Sequence, residues 1–267
     1  KDSEIMKFRI SSCAPLEAAP IVAENGGMYV EPGFAVVTMM SPEQYREKSA
    51  ILRSTGLRAL AMNSMLPGNF KLYGDANDTA AVCDFVKAGM DRAEELGCEV
   101  IVMGSGAARN IPEGMTREQA SERLAALLGK FCEIAAPHHI KIAVEPLRAE
   151  ETNFIHTVAD AADLIGYLPE CKNLGINPDL YHMLCGNEPL SNLITYREHV
   201  FHTHMCRPDR YMPVESNPTE DAIYESFFRT LDEAGYHAEI SIEGISKSLA
   251  DDLPRALPLL RSIAERV

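Results

Sequence analysis

The chain has 267 residues, 46% of them hydrophobic, and a formal net charge of −14 from 25 basic and 39 acidic side chains. That length fits one large α/β domain or two small ones, with ample apolar material for a core. The negative balance repels nucleic-acid phosphates and anionic headgroups, and no apolar run approaches the ~20 residues that span a bilayer, so neither nucleic acid nor membrane is an expected partner.

The first six residues, Lys1–Met6, are polar and charged and lack the apolar stretch of a secretory signal. Phe8–Ser12 and Met28–Glu31 read as the first two strands. Ser41-Pro42-Glu43-Gln44 is a capping box with proline at the first helical position, and Gly56 closes that helix. Ala59–Asn63 reads as the third strand. Asp78 is expected to cap the next helix, whose Val82, Phe85, Val86, Ala93 and Leu96 form one apolar stripe before Gly97. The fourth strand is Glu99–Gly104. Thr116-Arg117-Glu118-Gln119 is a second capping box, followed by Ala120, Leu124, Leu127, Leu128, Phe131 and Ile134 at helical spacing. Ile140–Glu145 is the fifth strand, and Thr157 opens a helix after it. Leu174–Asn177 and Val200–His204 follow as strands six and seven. Thr219 is expected to open a helix that ends near Gly235. Glu239–Glu243 is strand eight, and Leu253–Ile263 is the last helix, with Pro254 and Pro258 near its start.

Several strands are short apolar runs of the kind buried on both faces of a parallel sheet. Eight strands with intervening helices at this length predict a single (β/α)8 TIM barrel spanning residues 1–267. A doubly wound open sheet shares the alternation, and strand counting does not separate the two. No linker, low-complexity tract or internal repeat argues for a second domain. The seven cysteines are dispersed and form no C-x-x-C pair. That is the pattern of reduced thiols in a cytoplasmic protein, not of a disulfide framework or a structural zinc site.

Catalytic groups of a barrel sit at the C-terminal ends of its strands. Strand five ends in Glu145, strand six runs into Asp179 and His182, strand seven ends in His204 with Arg210 six residues on, and strand eight ends in Glu243. Three carboxylates converging on one rim without a cation would drive each other's pKa values up. An oxygen-rich set with one imidazole suits manganese, magnesium, cobalt or zinc. Glu145, Asp179, His204 and Glu243 are therefore the expected ligands of one divalent metal ion. The bland alternatives are a solvated rim carboxylate for each acid and a satisfied core group for the histidine.

These residues stand in longer stretches: Glu145-Pro146-Leu147-Arg148-Ala149-Glu150-Glu151-Thr152-Asn153, Asp179-Leu180-Tyr181-His182-Met183, His202-Thr203-His204 with Arg210, and Ala234-Gly235-Tyr236 leading to Ser241-Ile242-Glu243. With them the chain resembles the xylose-isomerase-like TIM barrels, in particular the sugar epimerase and sugar-phosphate isomerase branch, closely in its second half and only in layout in its first. The resemblance implies that Glu145, Asp179, His204 and Glu243 bind the metal, that His182 and Arg210 hold substrate oxygens, and that Glu151 binds a hydroxyl near the carbonyl. Arg210 offers a planar fork of donors suited to vicinal hydroxyls, against the alternative of a surface ion pair. Glu151 has the alternative of a solvated loop charge. The implied reaction is isomerisation or epimerisation of a small sugar or keto-polyol, by proton transfer α to a carbonyl through a metal-bound ene-diolate, with Glu145 and Glu243 as the catalytic pair. A hydride shift would use the same ligands. Homodimers or homotetramers are common among such proteins, although no stretch of this sequence marks an interface.

Two departures touch substrate choice. The loop after Arg210 reads Tyr211-Met212-Pro213-Val214-Glu215-Ser216-Asn217-Pro218, where many relatives carry a proline–glycine pair, and the chain has no tryptophan. Tyr211, Phe8, Cys13 and Met62 are candidates to line the pocket instead, with plain packing as the alternative for each. No Gly-rich loop or basic cluster accompanies Gly244, which favours a non-phosphorylated substrate. The rivals are a metal-dependent dehydratase of the inosose or dehydroshikimate type, an endonuclease IV-like hydrolase and a non-catalytic binding protein. The endonuclease needs histidines on early strands, whereas none here precedes His138.

Overall fold

The computed structural model describes residues 7–267; Lys1–Met6 lie outside the described residues. Eight strands are formed among them: β1 Arg9–Cys13, β2 Val30–Glu31, β3 Ala61–Met62, β4 Val100–Met103, β5 Lys141–Val144, β6 Leu174–Ile176, β7 Thr203–Met205 and β8 Glu239–Ile242. Around them run α1 Ala19–Glu24, α2 Phe34–Met39, α3 Pro42–Ser54, α4 Ala76–Glu95, α5 Arg117–Ala135, α6 Val158–Ile165, α7 Leu180–Cys185, α8 Ser191–Thr195, α9 Pro218–Glu233 and α10 Leu249–Ala264.

The strands pair in parallel in the orders β2-β1-β8-β7 and β3-β4-β5-β6. Two seams join these halves. At one, Gly33 bridges Asn63, and the Val30 N–H donates to the Arg58 carbonyl at 3.0 Å. At the other, Ile176 bridges Val200, Asp179 bridges His204, and the Phe201 N–H donates to the Ile176 carbonyl at 3.0 Å. The first strand also pairs with the last over Arg9–Ser12 and Glu239–Ile242. The sheet therefore closes in strand order, which excludes the doubly wound alternative. The chain folds as a (β/α)8 TIM barrel.

Strand alternation divides the side chains between the two faces. Ile10, Val30, Met62, Ile101, Met103, Ile142, Val144, Ile176, Met205, Ile240 and Ile242 join the large apolar layer under the helices. Tyr29, Ala61, Val100 and Ala143 form a separate small cluster inside the barrel. Continuing the same parity to the strand ends brings Cys13, Glu31, Asn63, Gly104, Glu145, Asn177, His204 and Glu243 to the inner rim. The barrel's lower interior is thus filled by small and aromatic groups, and its upper layer is polar.

Several element boundaries differ from the sequence expectation. β2, β3 and β7 are shorter than predicted: each forms a ladder with one neighbour, β1, β4 and β8 respectively, and meets the other only through isolated bridges. Asp75, not Asp78, precedes α4: the Asp78 N–H donates to the Asp75 carboxylate and the Asp75 N–H to Asp78, each at 3.1 Å. Asn217, not Thr219, caps α9, accepting from the Thr219 N–H at 3.0 Å. Capped by Ser248, α10 begins four residues earlier than predicted and carries Pro254 and Pro258 in its interior. The boxes at Ser41 and Thr116 form as expected, and Thr157 opens α6 as expected, its side chain forming a further box with Asp160.

Gly175 on β6 has no room for a side chain, since a Cβ there would lie 2.3 Å from Phe201 Cδ2 and 2.7 Å from the His199 carbonyl oxygen. Gly175→Ala is expected to destabilise the protein by about 1–3 kcal/mol, read as a lower urea midpoint. An unchanged midpoint would contradict this packing at the β6–β7 seam.

Candidate metal centre and active site

Four side chains from the last four strands meet at the rim. Glu145 extends from the end of β5, Asp179 caps α7 just past β6, His204 lies within β7, and Glu243 follows β8. Each offers a ligand atom, and these atoms all lie within 4.8 Å of one another. Glu145, Asp179 and His204 are buried, and the Glu243 side chain retains 20% exposure.

The surrounding hydrogen bonds orient each group. Asn177 Nδ2 donates to Glu145 Oε1 at 3.0 Å, and His204 Nδ1 lies 3.0 Å from that same oxygen. Asp179 Oδ1 accepts from the Tyr181 N–H at 2.9 Å, leaving Oδ2 towards the centre. Asn63 Nδ2 donates to Glu243 Oε1 at 3.2 Å. Arg210 spans two of the acids: Nη1 donates to Asp179 Oδ2 at 2.7 Å and Nη2 to Glu243 Oε2 at 2.6 Å. Its backbone adopts a positive φ of 71°, and its guanidinium lies 4.6 Å from the centre of the Tyr181 ring.

His182 is fixed by its neighbour on the preceding loop. The Arg148 N–H donates to His182 Nδ1 at 3.2 Å, which assigns the ring proton to Nε2. That Nε2 is buried, has no hydrogen-bond partner among the described residues and lies 3.6 Å from Asp179 Oδ2. A fixed N–H donor is thereby left for a ligand. Glu151 lies apart from the four: it is exposed and paired with Arg148 Nε at 2.8 Å. Of the side chains considered for the pocket wall, Cys13 stands beside this cluster, within reach of Glu31 and His204. Phe8 packs on Phe228 with ring centres 5.5 Å apart, Met62 belongs to the outer apolar layer, and Tyr211 is 44% exposed.

The profile of the xylose isomerase-like TIM barrel family matches residues 20–263. The chain belongs to that family. No curated protein matches it in sequence. Among solved structures it is similar to the 3-keto-D-glucoside 4-epimerase of Escherichia coli, with TM-score 0.80 and 19% identity over 96% of this chain and 99% of that one. It is likewise similar to an L-ribulose 3-epimerase, with TM-score 0.80 and 16% identity over 97% and 94% of the two chains. The D-psicose 3-epimerase of Clostridium cellulolyticum H10 aligns with TM-score 0.73 and 16% identity over 97% and 92%. At these identities the likeness establishes the shared barrel.

In this xylose isomerase-like barrel the donor set fits a divalent cation: three carboxylates and an imidazole nitrogen in one compact group. The charges around it are unevenly tuned. Burial and the charge of Glu243 push the Glu145 carboxyl above its ordinary range. Burial pushes Glu243 the same way, but His204 and Arg210 outweigh it and bring that carboxyl down to about 2. Burial disfavours a charged His204, yet the adjacent Glu31 outweighs it and raises the imidazole well above its usual value. Burial, reinforced by Glu31, keeps the Cys13 thiol neutral and well above its ordinary range.

Sequence reasoning passed over four members of this network: Glu31, Asn63, Asn177 and His202. The first three end, or directly follow, the observed strands at the parity of the candidate ligands, and His202 shares the parity of His204. Inward alternation is the signal that would have found them. Arg109 was also missed. It is fully buried, and its Nη1 donates to the Glu145 carbonyl at 2.7 Å while Nη2 donates to the Ile155 carbonyl at 3.3 Å. It ties the loop after β4 to the backbone that carries Glu145.

The folded-state value of Glu243, about 2, lies below the 4.5 of an unperturbed glutamate. Its charged form therefore contributes stability above about pH 4.5 that is lost as the pH falls towards about 2. In metal-free protein, the stability advantage of wild type over Glu243→Gln in urea melts is expected to shrink through that window. A constant advantage would contradict the charge arrangement.

Proposed function

We propose that this chain is a divalent-metal-dependent sugar isomerase or epimerase that acts as a single domain on a small sugar or keto-polyol by proton transfer beside a carbonyl. The observation that carries this reading is the convergence of Glu145, Asp179, His204 and Glu243 on one point at the barrel rim. The epimerase activities of the three structural neighbours support it, since they are changes at a carbon of a keto sugar or keto-glycoside. Manganese, magnesium, cobalt and zinc all suit the donor set. The seven free cysteines and the lack, among the described residues, of any helix long and apolar enough to cross a membrane support a cytoplasmic location.

The bound cation supplies Lewis-acid stabilisation of negative charge on substrate oxygens, worth several kcal/mol. The protein's own groups do the rest. Glu145 and Glu243 project from β5 and β8, three strands apart on the ring, and so address a substrate between them from different sides. One takes the carbon-bound proton, giving an ene-diolate, and the other returns a proton. Return to the same carbon from the opposite face inverts it; return to the adjacent carbon moves the carbonyl. Arg210, whose fork bridges Asp179 and Glu243, would turn its donors to the charged oxygens once a cation takes up those carboxylates. His182 donates its Nε2–H, already set by the Arg148 backbone, to a neighbouring oxygen. Glu151 reaches a substrate hydroxyl by leaving its ion pair with Arg148. No feature here favours elimination of water over return of the proton, and the epimerase neighbours favour return.

Glu145→Gln or Glu243→Gln is expected to lower turnover by about 10²–10⁴-fold, the usual worth of a positioned acid or base, while far-UV circular dichroism stays native. Near-normal turnover in either variant would overturn the assignment. A panel of ketoses, ketose phosphates and inososes in heavy water identifies the substrate. One member is expected to gain deuterium at carbon without loss of mass as water, and chelation should abolish that exchange until manganese is restored. Turnover without deuterium uptake would replace proton transfer with a hydride shift, and loss of water would make the protein a dehydratase.

A further inference from the structure

Glu31 is a rim carboxylate that belongs to neither the candidate ligands nor the substrate loop. It ends β2, across the barrel from β7, and its side chain is fully buried. Its two oxygens serve two histidines: Oε1 accepts from His204 Nε2 and Oε2 from His202 Nε2, both at 2.8 Å. The two imidazoles stand at 89° to each other with centres 5.1 Å apart, so one carboxylate braces both rings in different planes.

An imidazole that donates from one nitrogen presents a lone pair at the other. With Nε2–H committed to Glu31, Nδ1 is the nitrogen of His204 left to give a lone pair to a cation, and it lies 3.0 Å from Glu145 Oε1 and 3.6 Å from Glu243 Oε2. Cys13, Glu31 and His204 also lie close enough together to suggest a second cation position. Both oxygens of Glu31 are already hydrogen-bonded, however, and the geometry describes a support for His204. We propose, resting on the cation reading above, that Glu31 is a positioning residue: it fixes the tautomer and ring orientation of His204 so that Nδ1 faces the cation, and it holds His202 as a second brace. Outer carboxylates that hold a ligand histidine are worth 10–100-fold in metal affinity in general.

The test is calorimetric titration of manganese into chelator-stripped wild type, Glu31→Gln and Glu31→Asp, with thermal melts of the same metal-free proteins. A glutamine has one carbonyl oxygen and can accept from only one of the two imidazoles at that position. Glu31→Gln is expected to bind manganese about 10–100-fold more weakly, with native circular dichroism, and Glu31→Asp to fall between it and wild type. If Glu31→Gln does not fold, the weaker affinity must appear in Glu31→Asp. Equal manganese affinity in wild type and the folded variants would overturn the proposal, even if their metal-free melting temperatures drop, because that is the signature of a purely structural role. Failure of wild type to bind manganese would overturn both this proposal and the cation reading, which separates the two cases.

Discussion

Burying like charges together is the constraint that organises this molecule. Glu31, Glu145, Asp179 and Glu243 crowd one end of a barrel wrapped in a large apolar layer, and isolated buried carboxylates are strongly disfavoured. The protein answers with matched positive groups and fixed dipoles. Arg210 bridges Asp179 and Glu243, His204 stands among Glu31, Glu145 and Glu243, and the amides of Asn63 and Asn177 donate to Glu243 Oε1 and Glu145 Oε1. A cation at the meeting point of the four candidate ligands would complete that balance.

The barrel makes the crowding possible. Period-two alternation sends every second strand residue inward, and closure of β1 on β8 brings those positions into one ring. Inward residues low in the strands include Ala61 and Ala143, which pack the interior. At the rim, Gly104 leaves room for Glu145, since a Cβ there would lie 2.5 Å from Oε2. Arg109 anchors the same backbone from outside the ring. Glu145 is consequently held by its carbonyl, its carboxylate and the space beside it.

Much of this is legible in the sequence because it is local. A carboxylate or histidine at the end of an apolar β-branched run announces a rim position, and the boxes at Ser41 and Thr116 announce helix starts within four residues. What the sequence conceals is non-local. Glu31 meets His202 and His204 across 171 and 173 residues, and nothing in its own neighbourhood distinguishes it from a solvated strand end. The caps at Asp75 and Asn217 were misplaced because Asp78 and Thr219, one turn or two residues further on, carry equally suitable oxygens. Glu151 shows the opposite limit. The family resemblance marks it for a substrate hydroxyl, yet its side chain is exposed and paired with Arg148.

The proposed chemistry requires the four side chains from the last four strands to grip a single cation. Crystals of the protein grown with manganese, measured for anomalous scattering, test this most directly. One strong peak per chain is expected within coordinating distance of Glu145, Asp179, His204 Nδ1 and Glu243. A peak elsewhere in the barrel, or none at saturating manganese, would contradict it.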